Sequence, residues 1–327
     1  DNFSGMNNIK QAESLFVGRD RACQPRVILN ADCTSAGRLI KRDGSTKFID
    51  LTNTHSLWSD TLAMMCVSED KLYRISQGIA VEICTIMGAY LSYVEVEDKI
   101  YISNKYWNKI FNPTDNSTSD WGLTLPEQPV VSSTTGNLPA GTYQVCFTKF
   151  NGREISGNGA IASIELAANS GITISNRAAD SLVWMTDPNG SKFFLCGALD
   201  TIVSTAQSSE LLPSFLCSPP PYMEYLSYIF GRMWGSVDNA LYYSESFHPE
   251  WFRMQLNKFE FDQNITLIAY VPTGIFVGCE DITYFLKGTE PNQMQQTTAG
   301  KGAIPGTLKY CNNVPELGDV LSPAERI

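Results

Sequence analysis

The stretch NLPAGTYQVCFTKFNG, residues 137–152, decides how this chain divides. A polar turn, Asn137-Leu138-Pro139-Ala140-Gly141, leads into residues 142–150, where Tyr143, Val145 and Phe147 alternate with Thr142, Gln144, Cys146 and Thr148. A period of two buries one face of a strand and leaves the other wet. Asn151-Gly152, a common hairpin pair, then ends it. No catalytic group sits on the stretch. It marks a small β-sandwich inside a longer chain.

Around it lie further strands of the same kind: residues 130–133, 160–166, 171–175, 182–186, 192–198 and 201–204. Asp187-Pro188-Asn189-Gly190 reads as a turn between two of them. About seven short strands in about 90 residues is the strand count of an immunoglobulin-like sandwich. Proline-rich linkers bracket the set, Leu125-Pro126-Glu127-Gln128-Pro129 before it and Ser218-Pro219-Pro220-Pro221 after it.

Outside the bracket a different pattern recurs. MCVSEDKLYRIS (65–76), YVEVEDKIYISN (93–104), WGSVDNALYYSE (234–245) and IFVGCEDITYFL (275–286) each read as strand, acidic turn, and strand carrying Tyr73, Tyr101, Tyr242 or Tyr284. Tyr73 to Tyr101 is 28 residues, Tyr242 to Tyr284 is 42 and Tyr101 to Tyr242 is 141. Propeller blades of four strands repeat at roughly 40–50 residues. Taking one blade from the long interval leaves about 100 residues, the size of one sandwich. The expected fold is therefore all-β: β-propeller-like blades interrupted by an inserted immunoglobulin-like sandwich. The expected division is 1–124 for an N-terminal arm and first blades, 125–218 for the insert, and 219–327 for the remaining blades. Deleting the insert should leave the flanking halves able to pack together. In the arm, RVILNA (26–31) reads as a strand, and RLIKR (38–42) and TKFIDL (46–51) flank Asp43-Gly44-Ser45 as a hairpin. Helix signals are confined to residues 2–16 and 319–326. AGKGAIPGT (299–307) reads as a loop.

Composition narrows the role. The chain has 327 residues, enough for two or three cores. It is 43% hydrophobic with net charge −10, a folded acidic protein without the Lys and Arg surplus that general phosphate-backbone binding needs. No run of about 18 apolar residues exists to span a membrane. The start, DNFSGMNN, has neither a signal-peptide pattern nor a starting Met, as expected of a trimmed chain. Nine widely spaced cysteines (23, 33, 66, 84, 146, 196, 217, 279 and 311) form no CxxC or Cys/His cluster. They read as reduced, buried thiols from a cytoplasm, with zinc not expected.

No constellation for catalysis emerges. His55 and His248 are far apart in sequence and offer no nucleophile–base–orienter set. His248 lies in the aromatic loop Ser246-Phe247-His248-Pro249-Glu250-Trp251-Phe252, read either as a contact loop or as packing against the neighbouring blade. Glu69/Asp70 and Glu95/Glu97/Asp98 read as solvated turn acids rather than a glycosidase pair. Residues 300–307 lack phosphate-loop spacing. Arg19, Arg21, Arg26, Arg38, Lys41 and Arg42 make the N-terminal part locally basic, a partner surface or solvated loop charge. Tyr106-Trp107, Trp121 and Trp251-Phe252 are candidates for subunit anchors or for plugs between blades. No catalytic residue, cofactor or metal is expected.

Several stretches resemble tail-machine proteins of tailed bacteriophages. Phe3-Ser4-Gly5-Met6-Asn7-Asn8 and Asn30-Ala31-Asp32 are similar to their "G-x-N-N … N-x-D" opening, and residues 240–252 (ALYYSESFHPEWF) to their "LYYSEP…P…F" segment. Residues 275–289 (IFVGCEDITYFLKGT) resemble "IYVGTEDGTYFLAGT", and Leu138-Pro139-Ala140-Gly141-Thr142-Tyr143 the start of their immunoglobulin- or fibronectin-like insert. The resemblance, strongest to the hub or nozzle proteins, implies a non-enzymatic virion protein made in the host cytoplasm. It implies a homo-oligomeric ring, six-fold favoured, that continues the DNA channel below portal and adaptor and docks tail fibres or a tail tip. Genomic DNA would pass without sequence-specific binding. A receptor- or glycan-binding tail protein is the alternative. The Tyr73–Tyr101 interval is tight for one blade, so the blade set is either incomplete or completed beyond Ile327.

Overall fold

A computed structural model describes residues 46–308 except 89, 206 and 207, together with residue 44 and four short strands before it. The chain forms two compact units, residues 1–50 and 51–327.

In the first unit, Phe16–Val17 pairs with Ala22–Cys23, and Ala31–Cys33 pairs antiparallel with Leu39–Lys41 in the register Ala31↔Lys41, Asp32↔Ile40 and Cys33↔Leu39. This corrects the expected hairpin across Asp43-Gly44-Ser45: Leu39–Lys41 takes the strand before it, not the stretch after it. Residues 46–50 bend at Ile49, with Lys47 and Asp50 paired across the bend, and present no extended edge. Residues 26–30 and both helix candidates lie outside the described residues, apart from Phe16, which is a strand residue.

The second unit is all-β; its only described helix is a 3-10 turn at Pro291–Gln293. Four antiparallel sheets of four strands follow chain order from edge to edge. The first comprises Thr54–Ser59, Met64–Ser68, Lys71–Ser76 and Ile79–Thr85, and the second Ser92–Val96, Lys99–Asn104, Trp107–Asn112 and Ser117–Ser119. The third comprises Glu224–Ile229, Arg232–Val237, Ala240–Tyr243 and Lys258–Glu260, and the fourth Ile265–Val271, Gly274–Cys279, Ile282–Lys287 and Gln295–Lys301. Ala299–Lys301 thus belongs to a strand, and the expected loop starts only at Gly302. The acidic turns are tight: Glu69, Glu97 and Asp238 adopt φ of 57°, 55° and 51° and are exposed.

The four hairpins expected from sequence are all present, but one is out of step. Those carrying Tyr73, Tyr242 and Tyr284 join the second and third strands of their sheets, whereas that carrying Tyr101 joins the first and second. That one-strand offset produces the short Tyr73–Tyr101 interval. The second sheet is complete.

The sheets pack face to face in sequence order. Met65, Val67 and Leu72 of the first meet Tyr93, Ile100, Ile102 and Phe111 of the second. Val96, Tyr101 and Ile110 of the second, with Trp121, meet Leu226 and Met233 of the third, with Met223 and Phe252. Ile229, Trp234 and Leu241 of the third meet Ile268, Ile275, Val277 and Leu286 of the fourth. Neighbouring residues of one strand point to opposite faces. Thus Tyr101 serves one core while Ile100 and Ile102 serve another, and Met233 and Trp234 divide in the same way. A strand buried on both faces loses the apolar/polar alternation, as Ile100-Tyr101-Ile102 does.

Between the second and third sheets in sequence lies a two-sheet sandwich. One layer orders Val131–Leu138, Ser170–Ile174 and Thr201–Ile202. The other orders Ala162–Leu166, Gly141–Lys149, Ser181–Thr186 and Phe193–Gly197. All seven strand readings in this region meet an observed strand. Tyr143, Val145, Phe147, Val183 and Met185 of one layer close on Leu138, Ile172, Ile174 and Ile202 of the other. The Tyr143 hydroxyl donates to the Pro139 carbonyl 3.0 Å away and ties the start of this strand to the turn before it. The turn before this strand is only Pro139-Ala140, because Asn137 and Leu138 belong to the preceding strand. After it, Asn151-Gly152 turns the chain as expected: Phe150 and Ile155 form an antiparallel bridge, and the Asn151 side-chain oxygen accepts from the amides of Arg153 and Glu154.

Candidate functional site

The first strand of each of the four sheets lies at its sheet's edge, and all four edges face one cleft of about 640 Å³. Ser56 comes from the first sheet, Tyr90 to Ser92 from the approach to and start of the second, Glu224 to Ser227 from the third and Thr266 to Ile268 from the fourth. Three of these four strands carry a register irregularity, at His55/Trp58, Glu224/Ser227 and Ile265/Leu267. Bulges turn side chains and interrupt pairing. Ser56 and Tyr225, at φ of 52° each, sit in two of them.

Serine hydroxyls stitch the cleft wall between sheets. Ser56 Oγ accepts from the Leu91 amide at 2.9 Å, Ser92 Oγ from the Leu226 amide at 2.7 Å and Ser103 Oγ from the Met223 amide at 3.0 Å. A buried amide without a partner is costly, so these hydroxyls stabilise the approach of neighbouring edges. Glu224 is the one charged residue among the described residues lining the cleft. Beyond the fourth sheet the chain turns back: the Ala303 amide donates to the Cys279 carbonyl at 3.0 Å, and the Thr266 hydroxyl to the Ala303 carbonyl at 2.6 Å. Pro305, Gly306 and Leu308 then complete the wall. Gly302 is required at the reversal, because a Cβ there would lie 2.0 Å from the Glu280 carbonyl oxygen.

A second construction joins the sandwich to the sheets. Residues 156–159, Ser-Gly-Asn-Gly, pass between the entering and leaving linkers. A Cβ on Gly157 would lie 1.6 Å from the Cys217 carbonyl oxygen, and one on Gly159 would lie 2.3 Å from that of Pro126. The Ser214 hydroxyl donates to the Ser156 carbonyl at 2.6 Å, and the Leu216 amide to Asn158 Oδ1 at 2.7 Å. Beside this neck, Lys99 Nζ lies 3.7 Å from the Glu154 carboxylate, and Lys149 Nζ donates to Thr124 Oγ1 at 2.7 Å.

The sequence candidates fall as follows. His55 sits at the cleft rim, its Nδ1 2.9 Å from Ser56 Oγ and its ring edge-on to Tyr90. His248 lies in the loop that braces the neck: it stacks on Trp251 with centroids 3.8 Å apart, and Trp251 Nε1 donates to the Ile155 carbonyl at 2.8 Å. Trp121 Nε1 donates to the Pro249 carbonyl of the same loop at 3.0 Å, and Ser218 and Phe252 exchange backbone hydrogen bonds. The aromatic loop is therefore packing, with Phe247 exposed at its tip. Trp121, Trp251 and Phe252 are buried and Trp107 is half-buried, whereas Tyr106 is exposed. Glu95 accepts from the Leu62 amide at 3.0 Å and from the Thr61 hydroxyl, and so ties the second sheet to the first. Of the basic N-terminal residues only Lys41 has a described side chain, and it is exposed. The six cysteines with described side chains, Cys66, Cys84, Cys146, Cys196, Cys217 and Cys279, are free thiols. Among the described residues no group of His, Cys, Asp and Glu is placed to hold a metal, and no helix is long and apolar enough to cross a membrane. The cleft itself was not read from sequence, since it is assembled from edges scattered between Ser56 and Leu308.

No protein-family model and no curated protein matches the sequence. Solved structures with a partial likeness include the designed protein Ika8 (8% identity, 78% of this chain and 80% of that one, TM-score 0.25). Others are Sqt1 of Saccharomyces cerevisiae (12%, 82% and 66%, TM-score 0.29) and the AfRom2 CNH domain (8%, 83% and 84%, TM-score 0.28). At these scores the likeness decides neither fold nor function.

Proposed function

We propose that the chain is a structural protein of a bacteriophage tail, a hub or nozzle protomer acting by assembly rather than catalysis. In this reading the four sheets are blades of a propeller-like body, and residues 125–218 are an immunoglobulin-like insert. Copies form a ring, six-fold favoured, coaxial with the tail. The ring continues the DNA channel below portal and adaptor and docks fibres or a tail tip. The observation that carries the reading is the succession of four face-packed four-stranded sheets around one cleft, with a self-contained sandwich set between the second and third. Three of the stretches similar to tail-machine proteins, 138–143, 240–252 and 275–289, lie in or next to these same elements, whereas 3–8 falls outside the described residues and 30–32 belongs to the first unit. Free thiols in the described residues accord with folding in a reducing host cytoplasm before incorporation into the virion. Net charge of −10 suits a conduit that must not hold its nucleic acid. Electron microscopy of the purified chain and of phage particles carrying it tests the proposal. Closed rings coaxial with the tail are expected. Monomers that bind host polysaccharide and are absent from the tail axis would overturn it.

A further inference from the structure

Beside the neck lies a second cavity, of about 480 Å³, with one wall from the sandwich and the other from the second sheet and the residues that follow it. Most of its charges are already matched. Lys99 Nζ lies 3.7 Å from the Glu154 carboxylate, and Asp120 pairs with Lys109. Three charged groups of the sandwich wall remain: the Lys149 ammonium, the Arg153 guanidinium and the Asp180 carboxylate. Lys149 Nζ uses one donor on Thr124 Oγ1, and none of the three has an oppositely charged partner among the described residues. The balance is one positive charge in excess.

That excess selects the ligand. One carboxylate reaching Lys149 and Arg153 cancels it, and charge-assisted hydrogen bonds to such a group are strong. A phosphate dianion overshoots the balance and meets the acids of the lining, Asp120, Glu154 and Asp180. The closely spaced phosphates of nucleic acid fare worse. The rest of the lining suits hydroxyl groups. Asp180 accepts, and the Ser119 hydroxyl both donates and accepts. Ser117 Oγ donates to Asp115 and keeps its acceptor sites, while Asn112 Oδ1 takes the Thr114 amide and leaves the Asn112 amide group to donate. Ile110 and Leu123 add a small apolar patch, against which the C–H face of a sugar ring can lie.

We propose that the cavity between the sandwich and the second sheet binds a sugar carrying one carboxylate, such as a uronic acid. Its carboxylate sits on Lys149 and Arg153 and its hydroxyls on Asp180, Asn112, Ser117 and Ser119. The inference goes beyond the hub reading and does not depend on it. Rings are read in images and sugar binding by titration, so either can fail while the other stands.

The test is isothermal titration of the full chain with galacturonic acid, with galactose, which has the same ring without the carboxylate, and with inorganic phosphate. Saturable binding of galacturonic acid is expected, with galactose and phosphate about ten-fold weaker or worse. Arg153→Gln, at an exposed position, and Lys149→Gln should each lower galacturonic acid binding toward the galactose level at an unchanged melting temperature. A structural defect would weaken both sugars alike and leave their ratio intact, so loss of the ratio marks direct contact. Trigalacturonate distinguishes the two sources of this chemistry: tighter binding than the monosaccharide assigns the site to a residue within a polysaccharide, and equal binding to the free sugar acid. Absence of saturation with both acidic sugars, equal affinity for galactose, phosphate binding as tight as galacturonic acid, or an undiminished acid-to-neutral ratio in both variants would overturn the proposal.

Discussion

The sandwich and the four sheets solve the same problem in opposite ways. In the sandwich two layers face each other, and one cluster from Leu138 to Ile202 closes the core with residues of the sandwich alone. In the four sheets no layer closes a core by itself; each cluster is shared by two successive sheets. A module that is complete can be set into another chain. A module that must borrow its neighbour's face can only be stacked.

Breaking the shared cores should have the largest effect. Trp234 is fully buried between the third and fourth sheets, its Nε1 donating to the Ile229 carbonyl at 3.1 Å. Trp234→Ala should cost ~3–5 kcal/mol and lower the melting of both sheets while leaving the sandwich transition in place, read by calorimetry and amide exchange.

The neck comes next. Gly157→Ala forces a methyl against the Cys217 carbonyl, a backbone group that cannot rotate away. A loss of ~1–3 kcal/mol is expected, the range of overpacked sites. Limited proteolysis should then cut near residues 125 and 217 faster than in the unmodified chain. Uncoupling of this kind would show that the neck fixes the sandwich to the sheets, while its own core keeps it folded.

Within the sandwich, Thr148 Oγ1 accepts from Trp184 Nε1 at 2.9 Å, and both residues are fully buried. Thr148→Val keeps the shape and removes the acceptor. The unmet donor should cost about 1–2 kcal/mol, confined to the sandwich transition.

The smallest and most graded effect is alkaline. Burial pushes the Cys146 thiol up to about 12, and burial likewise moves Cys196, Cys217 and Cys279 to about 11, from an ordinary 9.0. Between pH 9 and these values the unfolded chain ionises while the folded chain keeps its protons. Stability is therefore complete below pH 9 and falls as pH rises to 11–12. Two of the four thiols, Cys146 and Cys196, lie in the sandwich, so its transition should fall more steeply than that of the fourth sheet, which holds Cys279 alone. Denaturant melts at pH 8, 9 and 10 check the slope.

What the sequence disclosed follows the same contrast. The seven sandwich strands were legible because Tyr143, Val145 and Phe147 alternate toward the core between the layers, and their turns carry strong residues such as Asp187-Pro188-Asn189-Gly190. The opposite face, expected wet, is itself buried at Cys146 and Thr148, where Cys146 joins Trp184, Phe193 and Leu212 in a second core. The hairpins of the four sheets were legible too, through their acidic turns. Their strand numbering was not, because every hairpin carries the same signature and Tyr101 gives no sign of lying one strand early. The N-terminal hairpin failed because Asp43-Gly44 marks a turn but not which strand pairs with Leu39–Lys41. The neck was invisible for another reason: Ser156-Gly157-Asn158-Gly159 reads as a loop, and only the approach of Cys217 and Pro126 shows why glycine is needed. His248 and its aromatic loop hold the neck, a role that rests on long-range contacts such as Trp251 to Ile155.

The division itself is tested most directly by removing the sandwich. Residues 128–214 replaced by a short Gly-Ser linker should leave a chain that melts cooperatively. Amide protection should persist in strands Lys99–Asn104 and Arg232–Val237, whose side chains Tyr101 and Met233 share one core. Loss of cooperative melting and of protection in both strands would contradict the division and make the sandwich an integral part of the body.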